Sequence, residues 1–225
     1  WSRGEWHQIS AQVPYLLNSL QLSVLAAVCV VMIALLMGMI KRNQPSRYLR
    51  GLIRLASMGY AIPGTVLALG VFISATAMDQ LTQPWAISIR YSVLVMILAY
   101  CARFLMVGLK PIETGMQRIP ARLDDMAATM GLGQLAVLRT IWSPLMKGAL
   151  SAALILVFVE VLKEMPMTLM TRPVGWDTLT VKIFEWTSEG EWSKASVPSL
   201  LIVLASIIPV SLLGDVTSKG ALHEQ

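Results

Sequence analysis

The residues VPYLLNSLQLSVLAAVCVVMIALLMGMI (Val13–Ile40) run for 28 positions without one charged side chain. The hydrocarbon core of a bilayer takes about 20 apolar residues of helix, each rising 1.5 Å. This run is long enough to cross it, and it decides the class. Four more apolar runs follow, at about 60–78, 91–109, 145–162 and 197–213. None alternates apolar and polar positions as a barrel strand does. The expected fold is therefore all-α, a polytopic membrane protein with about five transmembrane helices, read as one domain over 1–225.

Composition agrees. Hydrophobic residues make up 56% of the 225, charged residues 14%, and the mean hydropathy is +0.65. That is too apolar and too sparsely charged for a soluble globule. The net charge of +5 does not point to nucleic acid, because the bases adjoin apolar runs, where they suit a membrane surface. Cys29 and Cys101 lie inside such runs, without metal-ligand spacing, and read as small packing residues. The chain begins at Trp1 and is expected to be a piece of a longer protein.

Lysine and arginine placement sets the expected orientation. The segment after the first run holds Lys41, Arg42, Arg47, Arg50 and Arg54 and no acid; the next holds Asp79 and Arg90. The segment after the third run holds Lys110, Arg118, Arg122, Arg139 and Lys147. After the fourth, Arg172, Lys182 and Lys194 face Glu164, Asp177, Glu185, Glu189 and Glu191. The sequence basic, neutral, basic, acidic places the amino end outside and the carboxyl end inside.

By that rule the stretch DDMAATMGLGQLAVLRTIWSP (Asp124–Pro144) is cytoplasmic. Leu123, Met126, Ala127 and Met130 recur at helical spacing, and Asp124 and Asp125 are first-turn acids. Gly131 is a natural helix stop because it accepts positive φ. Leu135, Leu138, Ile141 and Trp142 resume the period, and Pro144 marks the return to the membrane. From the residues alone this is either a linker helix packed on its own bundle or a docking helix.

The string D-M-A-A-T-M-G, twelve residues and then a proline resembles the "EAA" loop of binding-protein-dependent ABC importer permeases. Asp125 stands for the usual glutamate, Met126 and Ala127 for the two alanines, and Gly131 and Pro144 match at their distance. The resemblance implies that this loop, about 111–144 with Leu123 and Leu135 flanking the break, is a coupling helix docking on a cytoplasmic ABC ATPase dimer. No G-x-x-x-x-G-K-[ST] phosphate loop occurs in the chain. ATP is thus expected to act on the partner ATPase, with no cofactor bound here and no enzymatic role for this chain.

Other positions carry less local information. Pro63 and Gly64 begin the second run and are expected to kink its helix; the string Y-A-I-P-G-T-V-L-A-L-G also resembles a pathway-bordering span of iron-type permeases. Arg103, seven residues before Lys110, is expected to snorkel to the cytoplasmic surface. Glu160 and Lys163 sit one turn apart with Glu164 beside both, and Pro166 is expected to stop the helix. These charges either form a self-neutralising cluster that fixes packing or line an external mouth. Trp176, Phe184, Trp186 and Trp192 are expected to anchor the outer segment at the headgroups.

L-K-E-M-P-M-T-L-M-T-R-P-x-x-x-D-T-L (Leu162–Leu179) resembles the K-E-L-P-x-T-L-x-x-R-P-x-x-x-D-T-L string of ferric-iron importer permeases. That likeness spans the chain and implies the second half of a fused two-half permease without its first helix, in the bacterial inner membrane. It also implies a second permease half and a periplasmic binding protein as partners, and ferric iron moved by alternating access. Permeases for thiamine, polyamine, sulfate or phosphonate share the loop and remain the alternative. An ion-coupled secondary transporter would need a buried proton-relay acid or histidine, and the first, second and fifth runs have no charge in their cores. An intramembrane enzyme lacks a nucleophile and base set, since His7 and His223 are terminal.

Overall fold

The computed structural model describes the backbone of residues 3–43, 46–82 and 91–222, and the side chains of 11–43, 46–80 and 91–211. Arg90, His223 and the His7 side chain lie outside them. Every regular element among the described residues is helical.

The first apolar run lies in α1 (Arg3–Asn43), which ends on Lys41 and Arg42. A short helix α2 (Arg47–Ser57) and a tight 3₁₀ turn (Met58–Tyr60) lead to α3 (Gly64–Thr82). Helix α4 (Val93–Gln117) is capped by Ser92, whose hydroxyl accepts the Val95 N–H. The apolar run at 91–109 predicts only part of it: α4 continues two turns past Lys110, with Pro111 inside. Then come α5 (Ala121–Thr129), α6 (Gln134–Val137), one π-helical turn (Leu138–Trp142) and α7 (Ser143–Leu145). The chain closes with α8 (Lys147–Leu162), α9 (Pro166–Thr171), α10 (Leu179–Ser188) and α11 (Trp192–Leu222).

Among the described residues three helices, α1, α4 and α11, are long and apolar enough to cross a membrane, and the number reaches five if each of two bent pairs counts as one span. One pair joins α2 to α3 at 110°; the other joins the α6–α7 segment to α8 at 84°, with the bend at Met146. Pro144 therefore sits inside α7, two residues before the chain turns.

The centre of the bundle is α1 against α4 and α8. Small residues set these approaches: a Cβ on Gly108 would meet Val30 at 2.9 Å, and one on Gly115 would meet Ala149 at 2.6 Å. Gly38 meets Met116 while Gly108 meets Val30, so α1 and α4 run parallel. Around these contacts Tyr100, Phe104, Ile112, Met146 and Val157 are fully buried. Leu17, Val24, Val28, Met32, Leu36 and Ile40 make an exposed apolar stripe on the other side of α1. A helix apolar on both faces belongs in lipid.

Candidate functional site

At the basic end of the bundle the Asp124–Pro144 segment is held by one charge node. The Arg42 Nε donates to Asp124 Oδ2 at 2.6 Å, and its other nitrogens donate to the Met116 and Ile119 carbonyls at 2.6 and 3.0 Å. The Trp142 indole N–H donates to Asp124 Oδ1 at 2.9 Å, with the guanidinium 5.4 Å above its ring. Asp124 therefore ties α5 to α1 and to the π turn. Sequence reasoning treated these three residues separately. Arg42 and Asp124 are 82 positions apart, and nothing local marks them as partners.

Helix α5 ends in a full Schellman motif. The Leu132 N–H donates to the Ala127 carbonyl and the Gly131 N–H to Ala128, each at 3.0 Å, with Gly131 at φ 70°. Ala127 is buried and Leu123 half-buried against the core. Asp125, Met126, Met130, Leu135 and Pro144 are exposed. The loop thus has an anchored side and a free side carrying two methionines, a leucine and an acid.

Deeper in the bundle the charged residues pair differently from expectation. Lys163 does pair with Glu160, at 2.7 Å. Glu164 turns away from both to Arg103, whose Nε donates to Glu164 Oε2 at 3.2 Å. Arg103 does not snorkel. Because α4 runs on to Gln117, Arg103 lies about 21 Å from that end. Its Nη1 instead donates to the Ile62 carbonyl at 3.1 Å, a group freed by the chain break before Pro63. Gly64 leaves room for that guanidinium, since a Cβ there would meet it at 3.0 Å. Gly59, unremarked in the sequence, lies so close to α4 that a Cβ would meet the Ala102 carbonyl oxygen at 2.0 Å.

The Leu162–Leu179 string is a clasp. Helix α8 already ends at Leu162, so Pro166 does not stop it; Pro166 opens α9, where its fixed φ suits the first turn. Glu164 Oε1 accepts the Met167 N–H at 3.3 Å, its carbonyl accepts the Thr168 hydroxyl at 2.8 Å, and that hydroxyl bonds Tyr100. Asn18 Nδ2 donates to the Gly175 and Asp177 carbonyls at 3.0 Å each, and the Leu179 N–H donates to Ser19 Oγ at 2.9 Å. Arg172 bridges Asp177 and Glu185 at 2.6 and 2.8 Å, and Lys182 bridges the same two acids at 3.1 and 2.8 Å. The residues of this string mostly hold their loop to α1, α4 and α10.

In that cluster burial opposes charge on both partners, and the bonds outweigh it. Lys182 is raised by Glu185 and Asp177, while Glu185 is lowered by Lys182 and Arg172. Glu185's folded value is depressed, so its contribution is present above the unfolded value near about 4.3 and fades as pH falls through the folded one. Lys182's is present below the unfolded value near about 10.4 and fades as pH rises through the higher folded one. Thermal unfolding of the detergent-purified protein is thus expected to destabilise below about pH 4, and Glu185→Gln to flatten that acid arm. An unchanged acid slope in E185Q would refute the assignment.

A groove of about 1120 Å³ runs along α4 and α8, from Pro120 and Leu123 past Met146 and Ala152 to Glu160. Glu160 thus faces open space, Lys163 is exposed, and Glu164 is closed off by Arg103. Among the described residues no three of His, Cys, Asp or Glu gather as a metal site.

The fold is shared with ABC transporters of known structure. A bacterial ABC transporter involved in the import of the acidic polysaccharide alginate superimposes with a TM-score of 0.72 at 12% identity, over 95% of this chain and 83% of that one. The MetNI methionine ABC transporter, in inward-facing conformations, superimposes at 0.64 and 12% over 96% and 99%. No protein-family model matches the chain. In sequence it is 28% identical, over 87% of its length, to the Fe(3+)-transport system permease protein FbpB 2 of Haemophilus influenzae. It is 27% identical, over 48% of its length, to PhnV of Salmonella typhimurium, a 2-aminoethylphosphonate transport system permease protein. It spans 37% and 41% of those two relatives. In sequence the chain is similar to these transport permeases, and its apolar helices are those of a multi-pass membrane protein.

Proposed function

We propose that this chain is the membrane-spanning part of an ATP-driven importer that takes ferric iron from a periplasmic binding protein. The observation that carries the cargo is the 28% identity to FbpB 2 along 87% of the chain, which includes the Lys163–Leu179 string. In this reading the free side of the Asp124–Pro144 loop, with Asp125, Met126, Met130 and Leu135, is the coupling surface for a cytoplasmic ATPase dimer. ATP acts on that dimer. The amino end lies outside and the carboxyl end inside, and a second permease half completes the pathway along the α4–α8 groove, which Glu160 lines, with the Pro63–Gly64 break as a further candidate on the pathway. The loaded binding protein docks on the outer clasp. ATP binding closes the ATPase pair, the loop relays the movement, and the pathway opens outward; hydrolysis resets it. Selectivity for iron resides in the binding protein.

The likeness to PhnV supports a second reading, a phosphonate cargo, although it covers only 48% of the chain. Reconstitution of the whole transporter with its ATPase separates the two. Radioactive ferric iron on the binding protein is expected to accumulate in vesicles with ATP inside, and 2-aminoethylphosphonate is not. Uptake of the phosphonate alone would replace iron by the second cargo, and uptake of neither would overturn both.

A further inference from the structure

Helix α2 takes no part in the loop or the clasp, and it contains no acid. At 100° per residue its side chains divide into three faces about 120° apart. Leu49, Ile53 and Ala56 pack on the bundle core. Arg47, Arg50 and Arg54 form an exposed basic face. Tyr48, Leu52 and Leu55 form the third, and these are 88%, 63% and 66% exposed. A helix between bundle and water needs two faces. The third, apolar and uncovered, needs an apolar medium.

The bend supplies one. With α3 at 110° to α2, an α3 that crosses the bilayer near its normal leaves α2 about 20° from the membrane plane. It lies where α1 passes from Ile40 to Lys41, at the edge of the hydrocarbon. There the Tyr48 face enters the acyl layer and the arginines stay at headgroup depth, the geometry of an interfacial helix.

Between α2 and α4 is a cavity of about 520 Å³. Its rim carries Lys41, Arg50, Arg54 and Lys110, and its apolar wall includes Ile53 and Leu109. Among the described residues the one acid on it, Glu113, is used by Lys41 at 2.6 Å. Among the described residues, Arg50, Arg54 and Lys110 pair with no acid. A bare ferric cation is repelled by such a rim. A phosphate on an apolar tail matches both rim and wall.

We infer that this cavity is a site for an acidic phospholipid, its phosphate held by Arg50, Arg54 and Lys110, at the headgroup depth set by α2's apolar face. Basic pockets beside membrane helices bind such headgroups through the same charge complementarity. The inference rests on the membrane fold and not on the cargo, so iron uptake can fail while the lipid site stands.

Native mass spectrometry of the purified transporter in detergent, with added dioleoyl phosphatidylglycerol, tests it. Adducts are expected on the natural protein and on a Lys194→Gln control, and on the order of tenfold fewer on Arg50→Gln/Arg54→Gln. Equal retention on the double variant, equal binding of phosphatidylcholine, or displacement by inorganic phosphate would each overturn the proposal. A second measurement does not depend on the double variant. Tyr48→Trp in vesicles of brominated phosphatidylglycerol should be strongly quenched. No quenching, or disulfide capture of Leu52→Cys by a second permease half, would show a protein partner on this face instead.

Discussion

Replacing Arg103 with leucine is expected to cost about 3–5 kcal/mol, because it leaves the Glu164 carboxylate buried and unpaired. Arg103 and Glu164 are only 17% and 8% exposed, so water cannot take over the lost contact. The Ile62 carbonyl loses its donor as well, but that bond is exposed, so its loss adds little. The consequence reaches beyond one pair. Arg103 joins α4 to the break before α3, and Glu164 joins the end of α8 to the start of α9. Loss of folded protein after mild heating, followed by size-exclusion profile, is the measurement. Arg103→Leu/Glu164→Leu should recover much of the loss, since two apolar groups replace a buried ion pair at little cost. An R103L protein as heat-stable as the natural one would show that the pair does not hold these elements.

Gly131→Val is expected to leave the protein folded in the membrane and to lower ATP-driven uptake by about 5–30-fold. Gly131 stands at φ 70°, where a β-branched residue is strained by roughly 1–2 kcal/mol. A Cβ there meets nothing within 4 Å, so the strain falls on the loop's turn and on no packing contact. The valine opens the Schellman bonds to Ala127 and Ala128 and moves the Met126–Met130 face relative to Leu135. Gly131→Asn tolerates the same φ and should retain uptake. If Val and Asn transported equally well, the turn would not carry coupling. ATPase activity measured alongside separates uncoupling, in which hydrolysis continues, from loss of the complex.

How far these sites could be read from the chain follows from the range of the forces involved. Gly131's positive φ was legible because a turn between two apolar-periodic stretches is a local demand, and only glycine meets it cheaply. The Glu160–Lys163 pair was legible for the same reason, being one helical turn apart. Glu164 was misplaced by that same local rule. Its partner lies 61 positions away, across a helix contact that no spacing announces. The end of α4 was also hidden, because Lys110 and Glu113 ended the apolar run while the helix went on.

The Leu162–Leu179 string shows the division most clearly. Read as a string, Lys163–Leu179 hinted at a cargo; folded, Thr168, Thr178 and Leu179 are buried and bind the loop to the bundle. The sequence by itself determined that the chain is helical, spans a membrane several times and carries a glycine-broken loop at its basic end. Those features follow from hydrophobic run length and backbone sterics, which act within a few turns of helix. Only the tertiary structure decided that Asp124 is the loop's anchor, that Arg103 serves a broken helix, and that α2 bears an uncovered apolar face. Those depend on which helices meet, and in a bundle nearly uniform in apolarity, small residues such as Gly59, Gly108 and Gly115 set those meetings by allowing close approach.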